Sequence, residues 1–331
     1  MKAIIPVAGI GSRLRPHTHT QPKSLIPVAG KPILAHIIDN LVDWGINDFV
    51  FVIGYMGEKI EEYVSSNYPQ IKADFVVQGV GKGTAHAIWL SRDLFGENVP
   101  LLIVFGDTIF KANRTQFIDS AYSCVGVKKV DDPSTFGVAE LNEDGSVSKV
   151  VEKPRIPKSN LALIGVYKIA DSSRLVSALD AVLSGPEEQE EYHLTDALMY
   201  MINEGERIET CDVDSWFDCG RKDILLETNA ILLKIGDYRK PHADQLDSSI
   251  LIEPVYLGEG VHITNSIVGP NVSIGNNTSV DSSILKNSII GSDSRLHSAN
   301  LGNSVIGNDA SLSGSTLSLN LGDSTEIKMG N

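Results

Sequence analysis

Apolar residues along this chain follow two different rhythms. Over residues 1–238, short apolar runs alternate with stretches whose apolar residues recur at helical spacing. Residues 2–8 (KAIIPVA) form an apolar run that ends in glycine, which predicts a strand and a tight connection, not a signal peptide. Pro32 then opens a helical pattern with Ile33, Leu34, Ile37, Ile38, Leu41 and Val42 on one face, stopped by Gly45. Residues 49–53, 74–77 and 101–105 read as strands, with helical patterns over 58–65 and 84–95 between them. Repeated βα units of this length predict a largely parallel sheet covered by helices, with ligands at the carboxyl ends of the strands. Residues 136–151 (FGVAELNEDGSVSKVV) predict a hairpin turning at Asp144-Gly145, so the expected fold is a mixed α/β sheet.

Beyond residue 241 the rhythm changes. No Phe, Trp or Tyr follows Tyr256, charges thin out, and Ser, Asn and Gly dominate. Aliphatic residues recur near every sixth position (Val255, Val261, Ile267, Val272, then Ile284, Ile290, Leu296), and pairs such as Leu257-Gly258, Ile274-Gly275, Ile290-Gly291, Ile306-Gly307 and Leu321-Gly322 keep the register. That period predicts a hexapeptide β-helix whose stacked coils bury a narrow aliphatic core. A disordered Ser/Asn-rich tail would not keep the spacing. Two domains are therefore expected, 1–240 and 241–331, with the apolar helical segment 222–235 packing between them or against a second subunit.

Composition narrows the function classes. The chain has 331 residues, of which 42% are apolar and 21% charged, and no apolar run approaches the roughly 18 residues of a membrane span. Cys124, Cys211 and Cys219 show neither paired nor C-x-x-C spacing, which argues against a disulfide framework or a zinc site and fits a reducing cytoplasm. A formal charge of −14 disfavours a nucleic-acid partner but leaves room for a locally basic pocket.

The first βα connection reads Gly9-Ile10-Gly11-Ser12-Arg13-Leu14-Arg15-Pro16. It is not a dinucleotide fingerprint, since Leu14 stands where a third glycine belongs, and not a P-loop, since no Gly-Lys-Ser/Thr follows. A Gly-x-Gly after a strand still lets backbone N–H groups approach a phosphate, and Arg13 adds a fork of donors. Pro22-Lys23 and Lys31-Pro32 follow downstream.

The run from Gly9 to Pro32 resembles the signature of sugar-1-phosphate nucleotidylyltransferases (pyrophosphorylases), G-x-G-[ST]-R-[LM]-x-P-x-T…P-K…P-V…K-P. The resemblance extends along nearly the whole chain: Gly106-Asp107 after an apolar strand, Phe136-Gly137-Val138, Glu152-Lys153-Pro154, residues 160–167, Leu194-Thr195-Asp196, and Trp216-Phe217-Asp218-Cys219-Gly220. The hexapeptide tail resembles the family's long, β-helix-bearing thymidylyltransferases. The implied fold is a Rossmann-like mixed-sheet nucleotidyltransferase domain followed by a left-handed β-helix. The implied reaction joins a nucleoside triphosphate (dTTP favoured, or UTP) to a sugar 1-phosphate, with glucose 1-phosphate the expected sugar, and releases pyrophosphate.

Residue roles follow from the same resemblance. Asp107 and Asp218 are the implied Mg²⁺ ligands. Arg13 and Lys23 would neutralise the triphosphate and Lys153 the sugar phosphate, with Ala8, Gly9, Gly11 and Ser12 lining the phosphate loop. Gln78 matches the glutamine that reads a pyrimidine edge, with Gly83 beneath the base. Gly137, Glu152 and Gly165 are the implied sugar contacts. The nucleophile is an ionised phosphate, so no general base is needed, and His86, inside the helical pattern GTAHAIWL, reads as packed or capping.

Some positions depart from the family pattern. Ala8 replaces a second Gly, Phe136 lacks a tyrosine hydroxyl, Cys219 replaces Thr, and Glu187, Glu188, Glu190 and Glu191 crowd the segment before Leu194. Two other readings compete: hexapeptide acyltransfer with His262 or His297 as base, and a non-catalytic nucleotide-sugar sensor. A homo-oligomer without membrane contact is expected. Every assigned residue lies between Ala8 and Asp218, so the first domain is expected to hold a complete site and the repeat to be structural.

Overall fold

The apolar run after Met1 forms β1 (Lys2–Pro6) near the middle of a ten-stranded sheet. The computed structural model describes residues 1–185, 191–236, 246–314, 316, 317 and 319–328. Its contacts divide the chain into two units, one of Met1–Gly9 with His36–Asp218, the other of Ile10–Ala35 with Cys219–Asn331. The boundary expected near 240 and the residues Glu187, Glu188 and Glu190 lie outside the described residues.

In the first unit, α1 (Ile33–Asp43, whose first turn belongs to the other unit) leads into β2 (Asp48–Ile53), α2 (Gly57–Asn67), β3 (Lys72–Val77) and α3 (Thr84–Leu90). Strands β4 (Leu101–Val104), β5 (Thr108–Ala112) and β6 (Ser123–Lys129) follow, then the hairpin β7 (Val138–Leu141) and β8 (Val147–Val151). The unit closes with β9 (Leu161–Ile169), α4 (Ser172–Leu183), α5 (Leu194–Asn203) and β10 (Ile208–Asp218). The sheet order is β3-β2-β1-β4-β9-β6-β10-β5, with β7 on β9 and β8 on β7.

Strands β3, β2, β1 and β4 are parallel, as the βα repeats predict. The β4–β9, β9–β6 and β10–β5 pairs are antiparallel, which makes the sheet mixed. Ile4, Val50 and Ile103 are fully buried, and a parallel sheet covered on both faces needs such continuous apolar runs. The helix expected over 84–95 ends at Leu90, and a separate 3₁₀ turn, Arg92–Leu94, follows it.

The second unit contains α6 (Lys222–Ile235) and three parallel sheets of two- and three-residue strands, the left-handed hexapeptide β-helix the repeat predicts. Register partners run Leu246–Ile263–Val280–Leu296–Leu312, steps of 17, 17, 16 and 16 residues, so the coils are slightly shorter than three full hexapeptides. Ile263, Val280, Leu296 and Leu312 stack inside. The abundance of Asn, Asp and Ser has a backbone cause. Asn265, Asn271, Asn277, Ser282, Asn287, Asp293, Ser298, Asn303 and Asp309 all have positive φ, a region that short polar side chains tolerate best after glycine. The glycines of the Ile-Gly pairs stack too: a β-carbon on Gly275 would lie 2.6 Å from the backbone nitrogen of Ser292 in the next coil. Among the described residues no helix is long and apolar enough to cross a membrane.

Candidate active site

Strand β4 runs through Phe105 into Gly106 and Asp107. The Gly106 N–H donates to the Pro6 carbonyl at 3.2 Å, and a β-carbon there would collide with Val7. Only glycine lets the end of β4 close on the end of β1, and Asp107 follows at that edge. The β5–β10 ladder places Asp218 opposite Thr108, the residue after Asp107. Asp107, which precedes β5, and Asp218, which ends β10, are both half-buried residues at the same end of this strand pair, and both make interactions within the protein. Among the described residues no three or more His, Cys, Asp or Glu gather into a metal cage. Two carboxylates are instead the donor set of a hard divalent ion that completes its shell with phosphate oxygens and water, and the pair fits such an ion.

Gln78 follows β3, its N–H donating to Ile53 O at 2.8 Å. Gly83 sits at φ +89, and a β-carbon there would lie 2.7 Å from the Tyr192 backbone nitrogen, so only glycine fits the turn into α3. The neighbouring chain is pinned by Tyr192 N donating to Lys82 O and Ala85 N to Tyr192 O, both 2.9 Å. The Gln78 side chain is buried and its Nε2 donates to Gly83 O at 3.2 Å, so these two predicted residues meet.

A third cluster joins Gly137, Glu152 and Lys153. Glu152 accepts from the Thr195 hydroxyl at 3.2 Å, and its other oxygen lies 3.5 Å from Lys153 Nζ. A β-carbon on Gly137 would be 3.2 Å from the Glu152 carboxylate. Lys153 has φ +41, unusual for a residue with a β-carbon, and its N–H donates to Phe136 O at 3.1 Å while its side chain stays exposed. Backbone strain of this kind persists where surrounding structure over-determines it, often at ligand sites. Gly165 lies where the β9 register shifts against β6, and its carbonyl accepts from Phe105 N at 2.8 Å, two residues before Asp107. Ala8 and Gly9 follow the end of β1 in this same unit, and Ala8 packs closely against Gly54.

Gly11, Ser12, Arg13 and Lys23 belong to the second unit. Ser12–Leu14 is a 3₁₀ turn closed by Leu14 N donating to Gly11 O at 3.0 Å; Leu14 is buried, and Arg13 and Ser12 are exposed. Gly11 and Lys23 come together: a β-carbon on Gly11 would be 2.8 Å from Lys23 Cβ. Within this unit the loop is tied to sequence-distant residues. Ala29 N donates to Asn229 Oδ1 (2.9 Å), Ser273 Oγ donates to the same atom (2.6 Å), and Asn229 Nδ2 donates to Asn271 O (3.2 Å), all around a fully buried Asn229. His17 Nε2 lies 2.7 Å from Asn320 Oδ1, Thr20 donates to Asp323, and Asn320 Nδ2 donates to Arg15 O at 3.4 Å. Burial pushes the His17 pKa below its ordinary value, more than Asn320 and Asp323 raise it.

Sequence reasoning assigned no such contacts to Thr195, Asn229 and Asn320, and read His86 as packed or capping. Thr195 sits inside a matched motif, so its hydroxyl was open to notice. Asn229 and Asn320 carry no local signal, because their partners are remote in sequence. His262 and His297 both lie on the exterior of one β-helix sheet, with His297 Nδ1 2.7 Å from Asp281.

A family model described as nucleotidyl transferase matches residues 2–235. A glucose-1-phosphate thymidylyltransferase of Streptomyces griseus is 31% identical over 318 residues, covering 87% of this chain and 86% of the relative. A UTP–glucose-1-phosphate uridylyltransferase of Haloferax volcanii, AglF, is 35% identical over 223 residues, 65% of this chain and 89% of its own. A crystal structure of a UDP-glucose pyrophosphorylase complexed with UDP-glucose superposes with a TM-score of 0.62 at 25% identity, covering 70% of this chain and 98% of that one.

Proposed function

The chain belongs to the nucleotidyl transferase family and is a sugar-1-phosphate nucleotidylyltransferase; from that premise we propose that it joins dTTP or UTP to glucose 1-phosphate at a site organised by Asp107 and Asp218. The observation that supports this reading is the β5–β10 ladder, which pairs Asp218 with Thr108, the residue after Asp107. Enzymes of this family use a divalent metal, and Mg²⁺ is the ion proposed here. Asp107 and Asp218 would hold it, and it would supply positive charge to offset what builds up at the α-phosphate in the transition state.

Arg13 and Lys23 hold the triphosphate through charge-assisted hydrogen bonds, and backbone N–H groups of Ala8, Gly9, Gly11 and Ser12 donate to it. Lys153 holds the sugar phosphate. Glu152, with one oxygen occupied by Thr195, accepts from sugar hydroxyls beside Gly137 and Gly165. A sugar-phosphate oxygen, already ionised, attacks the α-phosphorus; the bond from that phosphorus to the β-bridging oxygen breaks and pyrophosphate departs. Nothing has to remove a proton, so orientation and charge carry the catalysis. Gln78 reads the pyrimidine edge.

The enzyme is placed in the cytoplasm and as a homo-oligomer. Ile250, Ile267 and Ile284, exposed in one column on a β-helix face, support self-association. Pyrophosphate release across dTTP, UTP, CTP, ATP and GTP, each with several sugar 1-phosphates, tests the substrate reading. The highest kcat/KM should fall on a pyrimidine triphosphate bearing an N3–H, paired with glucose 1-phosphate. A preference for ATP or GTP would remove Gln78 from its role.

A further inference from the structure

The amide of Gln78 is held by two neighbours, and their chemistry fixes which way it points. Gly83 O can only accept, so the atom 3.2 Å from it is the amide nitrogen. The same nitrogen lies 3.1 Å from Nδ1 of His86. An amide nitrogen offers hydrogens and no lone pair, so Nδ1 must accept, and the imidazole proton belongs on Nε2. Both amide hydrogens are then engaged, and Oε1 is the part of Gln78 left for a ligand.

We propose that His86 is a positioning residue for base selection: by accepting from Gln78 Nε2 it holds the amide with its oxygen free, so that the site takes a base carrying a hydrogen on N3 and disfavours one carrying a lone pair there. Uracil and thymine meet the first condition and cytosine the second. The inference rests on Gln78 being the base contact. It also narrows that role, because a Gln78 with both hydrogens engaged cannot donate to O4.

The ring of His86 is itself held. It faces Trp89 one helical turn later, with centroids 6.3 Å apart and planes 20° apart. Trp89 is fixed by donating to Asp180 Oδ1 at 2.7 Å and by the Arg92 guanidinium 3.8 Å from its ring centre. Burial lowers the His86 pKa, and nearby Lys82 lowers it further, so the accepting neutral ring is the favoured form at neutral pH. Gly83 O alone would still orient the amide, so His86 supplies the second of two locks.

The test compares kcat/KM for UTP and CTP at saturating sugar 1-phosphate in the full-length protein. His86→Leu should lower the UTP-to-CTP ratio by roughly 3- to 10-fold, the factor for one neutral hydrogen bond. His86→Asn, whose side-chain oxygen can accept in place of Nδ1, should keep the wild-type ratio. Gln78→Ala should collapse it. A collapse in Gln78→Ala with an unchanged ratio in His86→Leu overturns the role of His86 and leaves the base reading intact. An unchanged ratio in Gln78→Ala removes the base reading, and this inference with it. Nitrogen NMR of the wild-type protein gives an independent answer that no variant's folding affects: His86 should carry its proton on Nε2, and a proton on Nδ1 overturns the assignment.

Discussion

In the first unit, special backbone follows no period: Met56, Asn98 and Lys153 have positive φ, as do scattered glycines. Lys153 at φ +41, Gly83 at φ +89 and the close approach at Gly106 occur once each, and each lies in or beside a cluster of predicted site residues. In the second unit, special backbone is periodic: Asn277, Asp293 and Asp309 repeat one positive-φ corner down the stack. Their donors and acceptors are met by the coils above and below, as when Asn277 N donates to Glu259 O at 2.8 Å and Asp293 N to Asn276 O at 2.8 Å. A conformation that recurs with the coil serves the stack, and one that occurs once asks for a local reason. By that standard the unusual features of the second unit are Asn229 and the Asn320–His17 contact, which break the repeat and hold residues 10–35.

The comparison can be broken in the first unit by Asp107→Asn. The substitution keeps shape and removes one charge, so kcat should fall by at least the ~10²–10³-fold typical of losing one preorganised electrostatic contact. Thermal melting should stay near wild type. A large loss of stability would make Asp107 a structural residue like the corners of the repeat.

Asn229→Ala sharpens the other side with a smaller effect. It strands the buried Ala29 N–H and Ser273 hydroxyl, costing about 2–4 kcal/mol of stability. Because Ala29 sits just beyond Lys23 in the loop, KM for the nucleoside triphosphate should rise, with KM for the sugar 1-phosphate little changed. Destabilisation with both KM values unchanged would mean that the second unit does not support the loop. The expectation that the repeat can be removed at small cost to activity is weakened by these ties.

The rhythms of the two halves were legible because burial imposes them. Ile33, Leu34, Ile37, Ile38 and Leu41 are buried along one helix face, and Val280 and Leu296 point inward coil after coil. The motif residues were legible as types at spacings, and Asp107 and Asp218 lie at the same end of the β5–β10 pair. The grouping of residues 10–35 with the C-terminal unit was not legible. It depends on single pairs, Ala29 with Asn229 and His17 with Asn320, about which local periodicity says nothing. Nor could the sequence say that the donor half of Gln78 is already engaged, since that depends on the Gly83 turn bringing a carbonyl and an imidazole to one nitrogen.

The central claim is nucleotidyl transfer at a divalent ion held by Asp107 and Asp218, and phosphorus NMR of the reaction tests it most directly. Full-length protein with Mg²⁺, dTTP or UTP, and glucose 1-phosphate should produce the two coupled phosphorus signals of a nucleotide sugar together with free pyrophosphate. Chelator should stop both, and added Mg²⁺ should restore them. Transfer that continues undiminished in chelator, or triphosphate consumption without a nucleotide-sugar signal, would contradict the account.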